Sequence, residues 1–285
     1  MKFCNVGGKL LDLHTPKIMG ILNITPDSFF DGGKHSNLNS ALEHGGKMLE
    51  EGADIIDIGA YSSRPGAREV SLQEELDRLI PIVEGLRKTY PGAILSIDTF
   101  RADVATEAIK SGAHMVNDIG GGNLDDRMFT TVAKLGVPYV LMHSRGTPET
   151  MQNNTGYQNL INDIILDLTK KIKALRLAGV KDIIVDPGFG FAKTLEQNYL
   201  LLSRISELKV LGLPILGALS RKSMIYKLLD GGPQEALNGT TVLNTILLIN
   251  GVEIIRVHDV KEAVEVRKLV MQTKINDVER NSYYA

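Results

Sequence analysis

Eight short runs of apolar residues alternate along the chain with segments of helical spacing, and this alternation limits the possible folds more than any other feature. Each run is nearly continuous in apolar residues, which is typical of strands buried on both faces. The runs span residues 18–24, 55–59, 94–99, 115–119, 139–143, 183–186, 215–220 and 254–259. Because strand–helix units pair in parallel through right-handed crossovers, the pattern predicts one α/β-class (β/α)8 TIM barrel. An open doubly wound sheet is the rival fold.

The chain is predicted to form one domain over residues 1–285. The segment 1–16 contains Gly7-Gly8, which predicts a short β-hairpin at the bottom of the barrel. The barrel then covers 17–275, and the polar segment 276–285 is expected to be a peripheral tail. Between the runs, apolar residues recur at helical spacing. Two such predicted faces are Leu200, Ile205 and Leu208, and Val264, Val266 and Leu269.

Composition argues against several classes of protein. The formal net charge is −2, so we do not expect the positively charged surface that binds nucleic-acid phosphates. The aromatic fraction is 5% and tryptophan is absent, so we do not expect a surface on which nucleic-acid bases stack. Cys4 is the only cysteine, which excludes an internal disulfide and a cysteine-based metal cluster. No apolar stretch reaches the ~20 residues that span a bilayer, and the N-terminus is too polar for a signal peptide. We therefore expect a cytoplasmic protein with no nucleic-acid or membrane partner.

Polar residues cluster where the apolar runs end. A barrel brings all the C-terminal strand ends to one face, which is where barrel active sites lie. Among the residues that end or follow the runs are Asn23, Asp31, Ser63, Arg64, Pro65, Asp98, Asn117, His143, Asp186, Lys222, Ser223, Arg256 and His258.

Each of these features alone has an ordinary structural explanation. Asp186 precedes a Pro-Gly turn, and Ser220 could cap the next helix. Their coincidence at one face favours a functional role for seven of them, namely Asn23, Asp98, Asn117, Asp186, Lys222, Arg256 and His258. For three further residues we favour a structural role, and these are Asp118, Arg145 and Asp259.

The chemistry of this set indicates a class of ligand. The chain contains no phosphate loop, dinucleotide fingerprint, nucleophile elbow or zinc helix. Arg256, His258 and Lys222 are donors suited to phosphate oxygens. Asp98 and Asp186, if buried, would accept from paired N–H groups, and Arg256 could also lie flat on a ring. These features favour a phosphorylated, flat, amine-bearing heterocycle such as a 2-amino-4-oxo-pteridine or a purine.

Six segments, completed by a seventh, follow one another in the order of a known family. They are 23–29, 63–66, 96–99, 117–118, 186–191 and 220–223, with 256–260 as the last. Any one of them is weakly specific, but together they are highly specific, and the region over which they are distributed, from residue 18 to about 260, is nearly the whole chain. The chain resembles the dihydropteroate synthases, in their bacterial single-function form.

The resemblance implies a transferase of folate biosynthesis. The reaction would join 7,8-dihydropterin-6-ylmethyl diphosphate to 4-aminobenzoate and release 7,8-dihydropteroate and diphosphate, with Mg²⁺ held near Asn23. The implied pterin contacts are Asp98, Asn117, Met142, Asp186, Gly217, Lys222 and Arg256. The implied diphosphate contacts are Asn23, Arg256 and His258. The implied aminobenzoate contacts are Ser63, Arg64, Pro65, Phe191, Lys222 and Ser223. The implied catalytic residues are Asn23, Asp31, Lys222, Arg256 and His258.

The resemblance also implies sulfonamide inhibitors in the aminobenzoate pocket and a homodimer formed through the late helices, at 233–250 and 261–274. Two departures stand out, because Tyr61 replaces a glutamate of the family motif and Ser63 replaces a threonine. Two alternatives are a pterin-dependent methyltransferase with a corrinoid partner and a noncatalytic pterin-binding protein. The segments 63–66 and 220–223 favour the synthase, and the diphosphate-binding residues argue against the noncatalytic alternative.

Overall fold

Eight parallel strands form a nearly closed barrel in the computed structural model, which describes residues 3–24, 34–61, 70–147 and 150–282. The strands are β1 (Phe3–Val6), β2 (Lys9–Asp12), β3 (Lys17–Asn23), β4 (Ile55–Gly59), β5 (Ile94–Asp98), β6 (Met115–Asp118), β7 (Tyr139–Met142), β8 (Ile183–Asp186), β9 (Leu216–Gly217) and β10 (Ile254–Val257). The helices are α1 (Lys34–Glu51), α2 (Leu72–Thr89), α3 (Ala102–Lys110), α4 (Met128–Leu135), α5 (Leu160–Ala178), α6 (Leu195–Ser203), α7 (Ser223–Tyr226), α8 (Leu237–Ile249) and α9 (Val260–Ser282).

The strand order confirms the predicted barrel. Strands β3 to β8 pair in sequence, β10 pairs with both β3 and β9, and every pair in this sheet is parallel. A bridge between Val185 and Ile215 connects β8 to the segment that leads into β9. The carboxyl ends of the strands therefore surround one mouth.

The N-terminal hairpin closes the other end of the barrel, as expected. Strands β1 and β2 pair in antiparallel register, from Phe3 opposite Asp12 to Val6 opposite Lys9. The two residues of the turn, Gly7 and Gly8, both have positive φ, at 58° and 84°, which suits a two-residue hairpin loop. Cys4, Val6 and Leu13 from this segment are buried in one cluster with apolar residues from the barrel interior.

Two apolar layers enclose the sheet. The inner cluster includes Met19, Ile55, Met115, Val140 and Ile184, one from each of five strands. The larger outer cluster joins the opposite faces of the strands to the surrounding helices. This division follows from the alternation of side chains along a strand, and it leaves the positions above the inner cluster for polar groups.

Local capping sets several helix boundaries. Ser71 Oγ accepts the N–H of Glu74 at the start of α2, at 3.2 Å. Thr194 and Gln197 form a capping box at the start of α6. Helix α5 ends at Ala178 and is capped by Gly179, whose φ of 102° gives the left-handed conformation of a C-terminal cap.

Four details differ from the sequence prediction. The seventh strand is only Leu216–Gly217, because the chain then turns through Arg221, which has a φ of 53°. The apolar spacing of residues 200–208 is divided between α6 and a separate 3₁₀ helix, Ile205–Leu211, and does not form one helix face. Leu269 is 70% exposed, because α9 buries Val260, Ala263 and Val270 instead. Residues 276–282 of the expected tail continue α9 as helix.

Within the described residues, no helix is long and apolar enough to cross a membrane.

Candidate active site

Alternate residues of the strands carry a polar layer directly above the inner apolar cluster. In β4, Ile55 belongs to the inner cluster, so Asp57 and Gly59 face the barrel interior as well. The register places Asp57 opposite Ser96 and Gly59 opposite Asp98 on β5, and Asp98 opposite Asn117 on β6. The mouth of the barrel therefore has a floor of carboxylates, an amide and a hydroxyl.

Arg256 connects this floor across the barrel. Its Nε donates to Asp57 Oδ2 at 2.6 Å, and its Nη2 donates to Asp98 Oδ2 at 2.7 Å. Asn117 Nδ2 donates to the same oxygen of Asp57, at 2.9 Å. The structure thus brings together three of the residues singled out from the sequence, and a fourth, Asp57, joins them.

Asp57 was missed by the sequence analysis, although a signal was present. It is the third residue of the apolar run 55–59, and its side chain is 0% exposed. A carboxylate inside a buried strand is costly unless it is paired, so its occurrence there indicates a specific partner. The sequence analysis considers the polar residues at the ends of the apolar runs, whereas Asp57 lies within one.

Burial perturbs the acids of the mouth. Desolvation raises the pKa of Asp98 to about 7, against the opposing charge of Arg256 and with a further contribution from Asp57. Desolvation also raises the pKa of Asp186, while the Lys222 ammonium opposes that shift. A buried carboxyl group of this kind, once ionised, accepts strong hydrogen bonds from the N–H groups of a ligand.

Asp186 begins the loop that forms one wall of the mouth. Its Oδ1 accepts the N–H of Gly188 at 2.7 Å, which fixes the turn. Gly188 has a φ of 71°, and a Cβ there would lie 2.0 Å from the carbonyl oxygen of His143, so no other residue fits. The turn presents the carbonyl of Phe189 and the ring of Phe191 to Lys222.

Lys222 lies between this loop and the acids. Its Nζ donates to the Phe189 carbonyl oxygen and lies 4.9 Å from the centroid of the Phe191 ring. Desolvation lowers the pKa of the ammonium group to about 8, with Asp186 opposing and Arg256 reinforcing the shift. A lysine with this pKa is a cation near neutral pH but is easily deprotonated.

His258 is held by Ser220. The backbone N–H of His258 donates to Ser220 Oγ at 3.1 Å, and the same oxygen lies 3.0 Å from His258 Nδ1. The Ser220 hydroxyl is therefore available to donate to Nδ1, which fixes the orientation of the imidazole. Ser220 acts here as a side-chain partner and not as the helix cap that the sequence suggested as an alternative.

The remaining predicted residues are distributed around the mouth. Asn23 ends β3 opposite Gly59, and Met142 ends β7 opposite Asp186. Ser223 begins α7, a helix of only 4 residues. Gly217 is different, because a Cβ there would lie 2.5 Å from Leu247 on the helix side of the sheet. Its lack of a side chain serves the packing of α8, and any contact with a ligand would come from its backbone.

Four predicted residues lie outside the described part of the chain, and these are Asp31, Ser63, Arg64 and Pro65. At the edge of that segment, the Tyr61 ring packs on Phe100 with the centroids 5.0 Å apart, and the Arg101 guanidinium lies 5.5 Å from the Tyr61 centroid. The residue that departs from the family glutamate thus joins an aromatic and cationic cluster beside the mouth.

The three residues assigned structural roles have structural partners. Asp118 accepts the N–H groups of Gly120 and Gly122, at 2.7 and 2.8 Å, and the Tyr139 hydroxyl. Asp259 forms an ion pair with Arg221 at 2.7 Å. Arg145 donates to the Gly156 carbonyl oxygen at 2.7 Å and lies 3.9 Å from the Tyr157 ring centroid.

Comparison with known proteins places this geometry in a family. The model of the pterin binding enzyme family matches residues 19–258. The dihydropteroate synthase of Escherichia coli K12 is 44% identical over 268 residues, which cover 93% of this chain and 94% of that protein.

Two crystal structures give the same result. The Yersinia pestis dihydropteroate synthase with a sulfonamide drug complex has a TM-score of 0.89 at 46% identity, over 95% of this chain and 99% of that one. The Xanthomonas albilineans dihydropteroate synthase with 4-aminobenzoic acid also has a TM-score of 0.89, at 36% identity, over 96% and 98% of the two chains. The chain belongs to the dihydropteroate synthases, the transferases of folate biosynthesis within the pterin binding enzyme family.

Proposed function

We propose that the residues gathered at the mouth carry out the synthase reaction in distinct roles. The observation that carries the proposal is the arrangement of Arg256, which is held by Asp57 and Asp98 and adjoins Asn117 through their shared acceptor. In the proposed reaction, the C–O bond between the pterin methylene and diphosphate breaks, and the amine of 4-aminobenzoate forms a C–N bond to that methylene.

Asp98, Asn117 and Asp186 would bind the pterin. A pterin offers an amino group and adjacent ring N–H groups, which match carboxylate and amide oxygens aimed from neighbouring strands. Arg256 would lie over the ring while its far edge stays paired with the two acids. Met142 is buried beside Asp186 at the end of its strand and would contribute apolar contact.

Arg256, His258 and Asn23 would bind the diphosphate. Negative charge builds on the leaving oxygen as the C–O bond breaks, and fixed donors at that point stabilise the charge. The amide oxygen of Asn23 fits Mg²⁺, which takes hard oxygen ligands and commonly binds one or two protein groups together with substrate phosphates. When bound, Mg²⁺ would neutralise charge on the diphosphate.

Phe191, Lys222 and Ser223 would form the described part of the aminobenzoate site. The Phe191 ring is half-buried, and Lys222 Nζ lies near it and near the Phe189 carbonyl. A benzoate ring could pack on Phe191 while its carboxylate meets Ser223. Ser63, Arg64 and Pro65 are proposed to complete the pocket, and sulfonamides are proposed to occupy it, as 4-aminobenzoate and sulfonamide ligands are named with the two relatives above.

A dissociative sequence suits these residues. The diphosphate leaves first, the electron-rich pterin delocalises the positive charge of the methylene, and the neutral amine then attacks. Asp31 is proposed to stabilise the cation from its loop. No covalent enzyme intermediate is needed, because the pterin ring itself makes the methylene electrophilic.

The proposed roles of Arg256 and Lys222 can be tested by substitution. Arg256→Gln and Lys222→Ala should each lower kcat/KM for the pterin diphosphate by about 100-fold or more, since each removes a charge-assisted contact. Arg176→Gln is the matched control, because Arg176 is exposed on α5, and it should retain full activity. Near-normal turnover in the Arg256→Gln variant would contradict the proposed roles.

We further propose a homodimer through α8 and α9, in the cytoplasm. Val242 and Ile249 are 50% and 60% exposed on one face of α8, and Leu269 on the adjacent α9 is also exposed. Val242→Glu should shift the sedimentation coefficient to that of a monomer, whereas Leu177→Glu, at an exposed site on α5, should not. A dimer that survives Val242→Glu together with Ile249→Glu would exclude this interface.

A further inference from the structure

We infer that Asp57 is a positioning residue of this active site, which sets the orientation of Arg256 and Asn117 together. The inference rests on the proposed roles of those two residues. Asp57 would touch neither reacting atom; it would act through the cation that covers the pterin and the amide that binds its edge.

The position of Asp57 in the barrel makes it the common partner of both side chains. It lies on β4, whereas Arg256 lies on β10 and Asn117 on β6, and one strand separates β4 from each of them in the sheet. Both contacts meet at a single atom, Asp57 Oδ2, at 2.6 Å from Arg256 Nε and 2.9 Å from Asn117 Nδ2. Moving this oxygen would displace both partners at once.

Arg256 needs a second anchor to keep a defined plane. Its Nη2 is held by Asp98, and a guanidinium held at one nitrogen alone can rotate about that contact. The Nε contact to Asp57 removes this freedom, because a planar fork bound at two of its nitrogens has one orientation. Asp57 also shares the charge of Arg256 with Asp98, which leaves Asp98 able to accept from the pterin.

The cost of Asp57 to the fold argues for such a role. Its side chain is fully buried, and its second oxygen, Oδ1, has no hydrogen-bond partner among the described residues. Ser96 Oγ, on the residue opposite in register, is likewise buried without a partner there. A buried, partly unsatisfied carboxylate is worse for stability than an apolar side chain of the same size. The presence of Asp57 is therefore better explained by its hydrogen bonds to Arg256 and Asn117 than by packing.

The test uses Asp57→Asn, which keeps the shape but removes the charge and one acceptor. We expect KM for the pterin diphosphate to rise and kcat to fall, with kcat/KM lower by about tenfold to 100-fold. KM for 4-aminobenzoate should stay within about twofold of wild type, because Phe191 and Ser223 are unaffected. The matched control is Asp118→Asn, a buried carboxylate on the outer face of β6 whose partners form a turn. It should lower the melting temperature without this split between the substrates.

Several outcomes overturn the inference. Unchanged kinetics in folded Asp57→Asn would do so, and so would an equal rise in KM for both substrates, which indicates a general structural role. If the wild-type chain forms no product, the proposed function fails on its own, and the inference is then judged by titrating a pterin into the wild type and Asp57→Asn. Equal affinities would reject it.

A second measurement needs no folded Asp57 variant. In the wild type, the Arg256 Nε–H signal in a ¹⁵N NMR spectrum, assigned by its loss in Arg256→Lys, should exchange slowly with water. A rapidly exchanging signal would contradict a fixed contact to Asp57.

Discussion

At the residue scale, the mouth of the barrel is a set of charges whose partners lie on different strands. Arg256 pairs with Asp57 and Asp98, and the charge of Lys222 acts on Asp186. Ser220 orients His258. We propose that a flat, anionic substrate would replace the water around these groups while the hydrogen bonds among the side chains hold them in place. This is the preorganisation that electrostatic catalysis needs.

Asp186→Asn tests the pterin site. The amide keeps an oxygen that can accept the Gly188 N–H, so the turn should remain, whereas the charge that attracts the N–H donors of the pterin is lost. We expect the Kd for a pterin ligand to rise about tenfold or more, measured by isothermal titration calorimetry. Asp126→Asn, at an exposed position, serves as the control. Unchanged affinity in folded Asp186→Asn would exclude Asp186 as a pterin contact.

The pKa of Lys222 predicts a basic limb in the pH profile. The ammonium group is charged below its pKa of about 8, and an anionic substrate binds the charged form better. The kcat/KM for the pterin diphosphate should therefore fall as the pH rises through about 8. Lys222→Arg, whose guanidinium does not titrate in this range, should move that limb to higher pH. Identical limbs in the two proteins would assign the titration to another group or to the substrate.

At the scale of elements, the loop 186–191 is braced from behind by Lys193. This side chain is buried, and its Nζ donates to the carbonyl oxygens of Gly188 and Phe191, at 2.9 and 3.0 Å. Nζ also lies 3.2 Å from His143 Nδ1. The loop that presents Phe191 to the mouth thus depends on one buried amine.

Lys193→Met tests this brace through the pH dependence of stability. Desolvation lowers the pKa of Lys193 in the folded protein to about 7, although Asp186 opposes the shift, while the pKa of a lysine in an unfolded chain is about 10.4. Between these values the unfolded chain binds more protons, so the free energy of unfolding should rise with pH.

Urea denaturation at pH 7 and pH 9 measures this rise. Lys193→Met should lose the part of the increase that Lys193 contributes, and its KM for 4-aminobenzoate should rise more than its KM for the pterin diphosphate. Equal pH dependence in both proteins would show that Lys193 titrates normally in the fold.

Elements were easier to predict than side-chain partners. The eight runs 18–24 to 254–259 correspond to eight strands because buried parallel strands need continuous apolar sequence. The predicted length of the seventh strand was too great, since Ala218 and Leu219 are buried without being part of a strand. Leu269 was placed on the wrong face because the apolar spacing of α9 allows more than one buried stripe.

The partners across the barrel could not be read from the sequence. Asp57, Asn117 and Arg256 are up to 199 residues apart, and only the register of five strands brings them into contact. The sequence predicted the face on which Asp98, Asn117, Asp186, Lys222, Arg256 and His258 meet. It did not predict the pairing of Arg256 with Asp57, which depends on how the strands are staggered in the nearly closed barrel.

At the scale of the whole molecule, one end of the barrel contributes to stability and the other end forms the candidate active site. The hairpin and the inner apolar cluster close the bottom, whereas the polar layer and the loops form the mouth. A barrel enzyme can therefore lose stability at one end without losing specificity at the other.

Leu13→Ala tests this separation. Leu13 is 1% exposed in the inner cluster, and its truncation should lower the free energy of unfolding by about 2–5 kcal/mol, measured by urea denaturation. The KM values for the pterin diphosphate and for 4-aminobenzoate should both remain those of the wild type, because the mouth of the barrel is unchanged. A loss of less than ~1 kcal/mol would mean that the hairpin is not part of the core.

The measurement that bears most directly on the account is product formation by the wild-type chain. The purified protein is incubated with 7,8-dihydropterin-6-ylmethyl diphosphate and 4-aminobenzoate, with and without Mg²⁺, and 7,8-dihydropteroate and diphosphate are both quantified. We expect equal amounts of the two products and a strong dependence of their formation on Mg²⁺. Folded protein that binds the pterin diphosphate but releases neither product would contradict it.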